Sequence, residues 1–409
     1  MDEKLSDSSN DVLKKSNEKF GKNQIIIPVA MFIIVVLGAV SLFLIRQSKQ
    51  KALQITPTVA PIQTPSASTQ TPTDIPVTTV IAQNLEVPWA IAFLPASSQG
   101  GPDNRMLVTE RPGRVRIIDK NGNLNPTPIL EIDVVRRILG EGGLHGITIH
   151  PEFEKNRFVY LYYTYANQGN GSLNRVSRYV FDGGKLNFEK IIVDKIPGAL
   201  FHDGGRIKFG PDKLLYVATG DAQEPSLAQN KNSTAGKILR VTPDGKPAPG
   251  NPFGNLVYSY GHRNPQGITW DSAGFLWETE HGSTNTDELN VIEIGKNYGW
   301  PEVKGDEQKD GFVVPIIHSG SDTWAPGGAA YLNGAVFFVG LRGQALYEVA
   351  VKNGRVIKTK THFKNQFGRI RDVVVGPDNM LYITTSNKDG RGNVNSGDDK
   401  IIRVNPQKL

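Results

Sequence analysis

His202-Asp203-Gly204-Gly205-Arg206 sets a histidine on a glycine-rich turn just before an apolar-alternating stretch. Imidazole titrates near neutral pH and can act as a general base, and the glycines let backbone approach a bound molecule. Asp221 ends the following β-rich segment and can orient that imidazole; the competing reading is a turn histidine with a structural hydrogen bond. Arg263 and Asn264, before Pro265, suit a polarised carbonyl or carboxylate. Glu280-His281-Gly282-Ser283-Thr284-Asn285-Thr286-Asp287-Glu288, followed by Lys296 to Pro301, is rich in oxygen donors. It suits Ca²⁺ better than a transition metal, is not an EF-hand loop, and reads equally as a solvated acidic loop. Arg369-Ile370-Arg371-Asp372 alternates two arginines on an apparent strand, so both can share a face and meet a polycarboxylate, with Arg342 as a third cation. The alternative is a surface strand. His150 sits in a turn and reads as structural, whereas His145, His281, His318 and His362 are left without a role. No HExxH, G-x-S-x-G, P-loop or dinucleotide fingerprint occurs, which argues against the usual nicotinamide enzymes and serine hydrolases.

The elements that must position these residues repeat along the chain. Six segments share an apolar-alternating strand, a turn containing Pro, Asp or Gly, and a second β-rich strand. They start at Trp89, Gly146, Gly205, Gly267, Gly328 and Arg371. The turns HPEF, GPDK, DSAG and GPDN have hairpin chemistry. Six such units predict an all-β chain folded as a six-bladed β-propeller. A sandwich would not repeat this way, and a TIM barrel would need amphipathic helices between strands. Residues 78–83, TTVIAQ, can close the last blade against the first. Catalytic loops then gather at one end of the propeller axis.

The chain has 409 residues, 43 Gly, 26 Pro and no Cys. Disulfides, thiolate metal sites and cysteine nucleophiles are excluded. The net charge of +6 is dispersed, with no basic block interleaved with aromatics, which argues against a nucleic-acid partner. Residues 25–45 carry no charge over 21 positions and predict a transmembrane helix. The run is too long for a signal-peptide core, and Arg46, Lys49 and Lys51 follow it. Residues 1–24 read as a cytoplasmic tail and 46–76 as a Pro/Thr/Ser-rich linker; 77–409 is the folded domain. The expected location is the cell membrane, single-pass, with the domain extracytoplasmic.

Taken in order, PWAIAFLP, MLVTERPGRVRII, GEGGLHGITIHPEF, HDGGRIKFGPDKLLYVATGD, GHRNPQGITW, DELNVIEIGKNYGWP and RIRDVVVGPDNMLYI resemble the soluble glucose dehydrogenase and aldose sugar dehydrogenase family. The resemblance runs from about Pro76 to Val404. It implies four-stranded antiparallel blades and oxidation of the C1 hydroxyl of an aldose by pyrroloquinoline quinone (PQQ) with calcium. It further implies His202 as base, Asp221 orienting it, and Arg263 and Asn264 at the quinone carbonyls. Arg342, Arg369 and Arg371 would surround the cofactor carboxylates, with Thr323 and Glu141 at the rim. Main-chain oxygens of Gly282 and Ser283 would hold the cofactor's calcium; Glu288 and Tyr298, with Asp287 nearby, would hold a second, structural calcium. The chain departs from the family pattern at Ser283, a frequent proline, at Glu141, a frequent glutamine, and at His145, usually apolar. The expected partners are a small aldose, an electron acceptor that the sequence leaves unnamed, and the membrane through the N-terminal helix. Two other readings stand beside this one: a calcium-dependent propeller lactonase, and a non-catalytic propeller that binds carbohydrate or protein.

Overall fold

The computed structural model describes residues 75–95, 104–137, 139–169 and 171–409. The expected tail, membrane helix and all but the last two residues of the linker lie outside them. Among the described residues no helix is long and apolar enough to cross a membrane. Among the described residues, twenty-four strands pair into six antiparallel four-stranded sheets. The third blade shows the pattern: Ile207–Phe209, Leu215–Thr219, Lys237–Val241 and Val257–Tyr260 follow one another from the axis outward. The six inner strands touch in a closed ring, Pro88–Phe93, Leu144–Ile149, Ile207–Phe209, Pro265–Trp270, Pro326–Leu332 and Ile370–Val375, with the last packing on the first.

Closure comes from the chain's two ends. Thr78–Ala82 is the outermost strand of the sixth blade and pairs antiparallel with Ile401–Val404, Thr78 opposite Val404. This is the strand expected at 78–83. It satisfies a sheet edge that would otherwise lie open.

Strands with two buried faces explain the continuous apolar runs. Val159, Tyr160, Leu161 and Tyr162 are all fully buried. Leu161 faces a core shared with Trp89 and Leu107 of the first blade, whereas Tyr160 and Tyr162 face one shared with Leu215 and Leu239 of the third. Each large apolar side chain buried this way contributes roughly 1.5–3 kcal/mol.

The turns behave as their composition predicts. In Gly210–Lys213 the Lys213 N–H bonds to the Gly210 carbonyl, and Asn379 repeats that bond to Gly376 in the sixth blade. These tight turns end the inner strands at one end of the axis. The loops bearing His202, Arg263 and Arg369 begin the inner strands at the other. Second strands return there too, which brings Asp221 and the His281–Ser283 segment to the same mouth.

Candidate active site

His202 and Asp221 meet as expected. His202 Nδ1 lies 2.7 Å from Asp221 Oδ1. The carboxylate is fully buried, whereas the imidazole is 17% exposed and reaches the mouth. Asp221 Oδ1 also accepts the Gln223 N–H at 2.9 Å, and its Oδ2 accepts the Trp300 indole N–H at 2.7 Å. A carboxylate fixed by three donors holds the proton of His202 on Nδ1 and leaves Nε2 as the free base. His202 takes a left-handed φ of 66°, rare for a non-glycine residue. Gly220 makes this possible, because a Cβ there would collide with the His202 carbonyl.

Glu141 fixes the same residue from the second blade. Its Oε2 accepts the His202 backbone N–H at 2.9 Å, and its Oε1 pairs with Arg391 at 3.3 Å. Burial pushes its carboxyl upward, but His281, the His202 N–H and Arg391 outweigh burial and hold it at about 2. Asn264 is buried and accepts the Gly204 N–H through Oδ1 at 3.0 Å, which ties the histidine loop to the fourth blade. Its Nδ2 is buried without a partner.

The arginines divide. Arg369 is committed to Asp389 at 2.8 Å. Arg371 reaches Gln266 Oε1 at 2.6 Å, and its Nε has no partner. Burial, then the neighbouring Asp389 and Arg369, leave Arg371 at about 9. The pairing of this strand shifts register between Ile370 and Asp372, so simple alternation does not describe the two side chains. Arg263 donates to the His281 carbonyl at 3.3 Å, lies 5.2 Å from the Trp300 ring centroid, and also has a buried, unbonded Nε. Arg111, which the sequence did not single out, joins them: its pKa is lowered by burial, and its Nε is likewise unbonded. Arg342 is exposed on the turn after the second strand of the fifth blade, at the same end of the axis. Thr323 donates to Asn285 Oδ1 at 3.3 Å.

The acidic segment has a different geometry from a row of free ligands. Both oxygens of Asp287 accept backbone N–H groups, from Gly282 at 2.9 Å, Trp324 at 2.6 Å and Ala325 at 2.8 Å. Asp287 therefore shapes the loop. The Tyr298 phenol is engaged by the Val291 carbonyl and the Glu293 N–H, each at 2.7 Å, so its hydroxyl is not a free ligand. Ser283 Oγ is buried and unbonded. Deeper in the blade, Glu278, Glu280 and Glu288 crowd the one side-chain amide of Asn290, at 3.1, 3.5 and 3.2 Å. His262 Nδ1 lies 3.5 Å from Glu280, and its Nε2 is shared with Ser259. Burial first, then the surrounding acidic charge, raise Glu280 and Glu288 to about 8. Glu280 Oε2 also accepts the Arg263 N–H at 2.8 Å and Glu288 Oε1 the Gly305 N–H at 3.4 Å, but Glu278 Oε1 and His262 Nδ1 have no hydrogen-bond partner. This donor set fits a divalent cation.

His145 is also buried at this end, and His281 is half-buried there. His145 stacks between Trp89 and Tyr162, with ring centroids 5.1 and 5.8 Å away, and burial lowers it to about 3. His281 bonds the Pro326 carbonyl at 2.9 Å, and burial lowers it to about 4. Both are packing and positioning groups. Arg111, Arg391 and the Trp300 indole were missed as site residues. Trp300 lay in a segment already marked; nothing local in the sequence distinguished the two arginines.

Comparison with known proteins agrees with the propeller fold. The glucose/sorbosone dehydrogenase family model matches residues 85–402. Aldose sugar dehydrogenase YliI of Escherichia coli is 30% identical over 80% of this chain and 92% of its own length. The PQQ-bound aldose sugar dehydrogenase of Streptomyces coelicolor superposes with a TM-score of 0.73 at 39% identity, over 80% of this chain and 98% of that one. The soluble apo aldose sugar dehydrogenase of Escherichia coli gives a TM-score of 0.72 at 28% identity, over 80% and 99%. The match covers nearly the full length of both solved chains, and Thr73–Leu409 forms one compact unit here.

Proposed function

Because this chain belongs to the glucose/sorbosone dehydrogenase family, we propose that it oxidises the C1 hydroxyl of an aldose to the lactone, with PQQ as oxidant and His202 as base. The observation that carries this reading is the partly exposed imidazole of His202 held at Nδ1 by a buried carboxylate. Nε2 takes the C1 hydroxyl proton, and Asp221 stabilises the resulting imidazolium. When bound, PQQ supplies the two-electron acceptor for the hydride of C1. Arg371, Arg263 and Arg111, with unbonded buried donors, and the Asn264 amide supply charge and hydrogen bonds for a polycarboxylate quinone. Arg369 supports them with a charge already neutralised by Asp389. Ca²⁺ would be held at the Gly282–Ser283 segment and by the glutamates around Asn290.

Those glutamates lie on the second and third strands of the fourth blade rather than at the axis, which disfavours a lactonase built on an axial metal. The test is dye reduction by the Thr73–Leu409 unit, loaded with PQQ and Ca²⁺, across a panel of aldoses. His202→Ala should lower kcat by roughly 10²–10⁴. Failure to take up the quinone would overturn the reading, as would full activity in His202→Ala.

Residues 25–45 would tether the propeller outside the cell membrane, where the dehydrogenase would pass electrons to a carrier close to the bilayer. Protease added to intact cells should then release an active domain; a protected domain would refute this placement.

A further inference from the structure

A second cavity, of about 590 Å³, opens at the end of the axis opposite His202. It is lined by the last residues of all six inner strands, including Phe93, Ile149, Phe209, Trp270 and Tyr331. Its size lies within the range of small-molecule sites. Side chains separate it from the arginines of the first mouth: the Trp89 ring centroid lies 4.4 Å from Arg206, which lines the cavity, and 5.7 Å from Arg371, which does not. Arg206 meets Asp372 at 3.0 Å at the floor of the cavity.

Lys208 also lines this cavity, on the inner strand Ile207–Phe209. Asp372 is already engaged by Arg206 and by the Ile91 N–H at 3.0 Å. The floor therefore carries two cations for one anion, beneath apolar and aromatic walls. Burial, then Arg206, depress the Lys208 ammonium to about 8, as expected of a cation without a counter-charge of its own. A half-buried, unmatched cation beside aromatic side chains suits a molecule with an aromatic body and a single acidic head.

We propose that this far axial cavity binds a small aromatic carboxylate or sulfonate, with its acidic head on Lys208 and its ring against the Phe209 and Trp270 walls. The site is independent of the quinone site and of the reaction assigned to it.

The test is fluorescence titration of the Thr73–Leu409 unit, saturated with PQQ, with the aromatic sulfonate 8-anilinonaphthalene-1-sulfonate. The neutral N-phenyl-1-naphthylamine serves as control. The expected result is one saturable sulfonate site that excess PQQ does not displace. Lys208→Met should weaken the sulfonate at least tenfold and leave the neutral probe unchanged, whereas Lys208→Arg should keep both. Equal sulfonate binding in Lys208→Met would show a merely apolar surface and overturn the proposal. Displacement by PQQ would place the probe at the other mouth and overturn it equally. Should Lys208→Met not fold, loss of sulfonate binding in a folded Lys208→Arg would also count against it.

Discussion

The Trp300 indole N–H donates to Asp221 Oδ2 at 2.7 Å, although the two residues are 79 positions apart. Asp221 thus has one oxygen for His202 and one for the fourth blade, and its orientation does not depend on the histidine alone. Trp300→Phe keeps the ring and removes the donor. A hydrogen bond to a charged group contributes about 1.5–3 kcal/mol, so kcat should fall by roughly tenfold or more with little change in KM. Steady-state kinetics on the loaded enzyme would check this, and an unchanged kcat would show that Gln223 suffices.

Gly220 allows the His202 carbonyl to approach where a side chain would stand. Gly220→Ala should displace the histidine loop, lower stability by about 2 kcal/mol and abolish most activity. Urea denaturation together with kinetics separates the two effects, since a stable but inactive variant means that the loop moved without global loss.

Glu141 should make acid stability measurably its own. Its carboxyl is held at about 2 in the folded chain, against an ordinary value of 4.5. A depressed carboxyl contributes stability above 4.5, and the contribution is lost as pH falls through 4.5 toward 2. The shift corresponds to at most about 3 kcal/mol, because the side chain keeps 19% exposure. Glu141→Gln should therefore cost more at pH 6.5 than at pH 3.5 in urea melts. A cost independent of pH would assign it to lost geometry instead.

Arg371 is buried beside Gln266, with an unbonded Nε. An under-neutralised buried cation is retained at the expense of stability. Arg371→Met should raise the melting temperature of the cofactor-free unit by about 1–3 °C and weaken PQQ binding by at least about thirtyfold. A fall in both would mean that the arginine is chiefly structural.

The glutamates around Asn290 should make the fold cation-dependent. Ca²⁺ at a hundredfold excess over its Kd should stabilise the unit by about 2.7 kcal/mol, and a chelator should reverse this. Glu278→Gln with Glu280→Gln should remove the response. A melting curve indifferent to Ca²⁺ would mean that shared protons, rather than a cation, hold these carboxyls.

Much of this protein was legible without its structure. Period-two alternation and Pro-Asp-Gly turns act over a few residues, so six repeated units, and even the closing strand at Thr78–Ala82, could be read directly. The segments around His202, Arg263 and Arg369 stood out because glycine, proline and paired charge are local signals. Tertiary structure alone decided which of those groups keep unsatisfied donors. Arg391 meets Glu141 across 250 positions, Asp372 meets the Ile91 N–H across 281, and Arg369 is neutralised by Asp389 while Arg371 has no such partner. Lys208 lies inside a segment that carries the family resemblance, yet nothing local gave it a role; it lines the far cavity because a ring of six blades brings six strand ends together. Charge balance at an axis is a sum over blades far apart in sequence, and no local pattern records that sum.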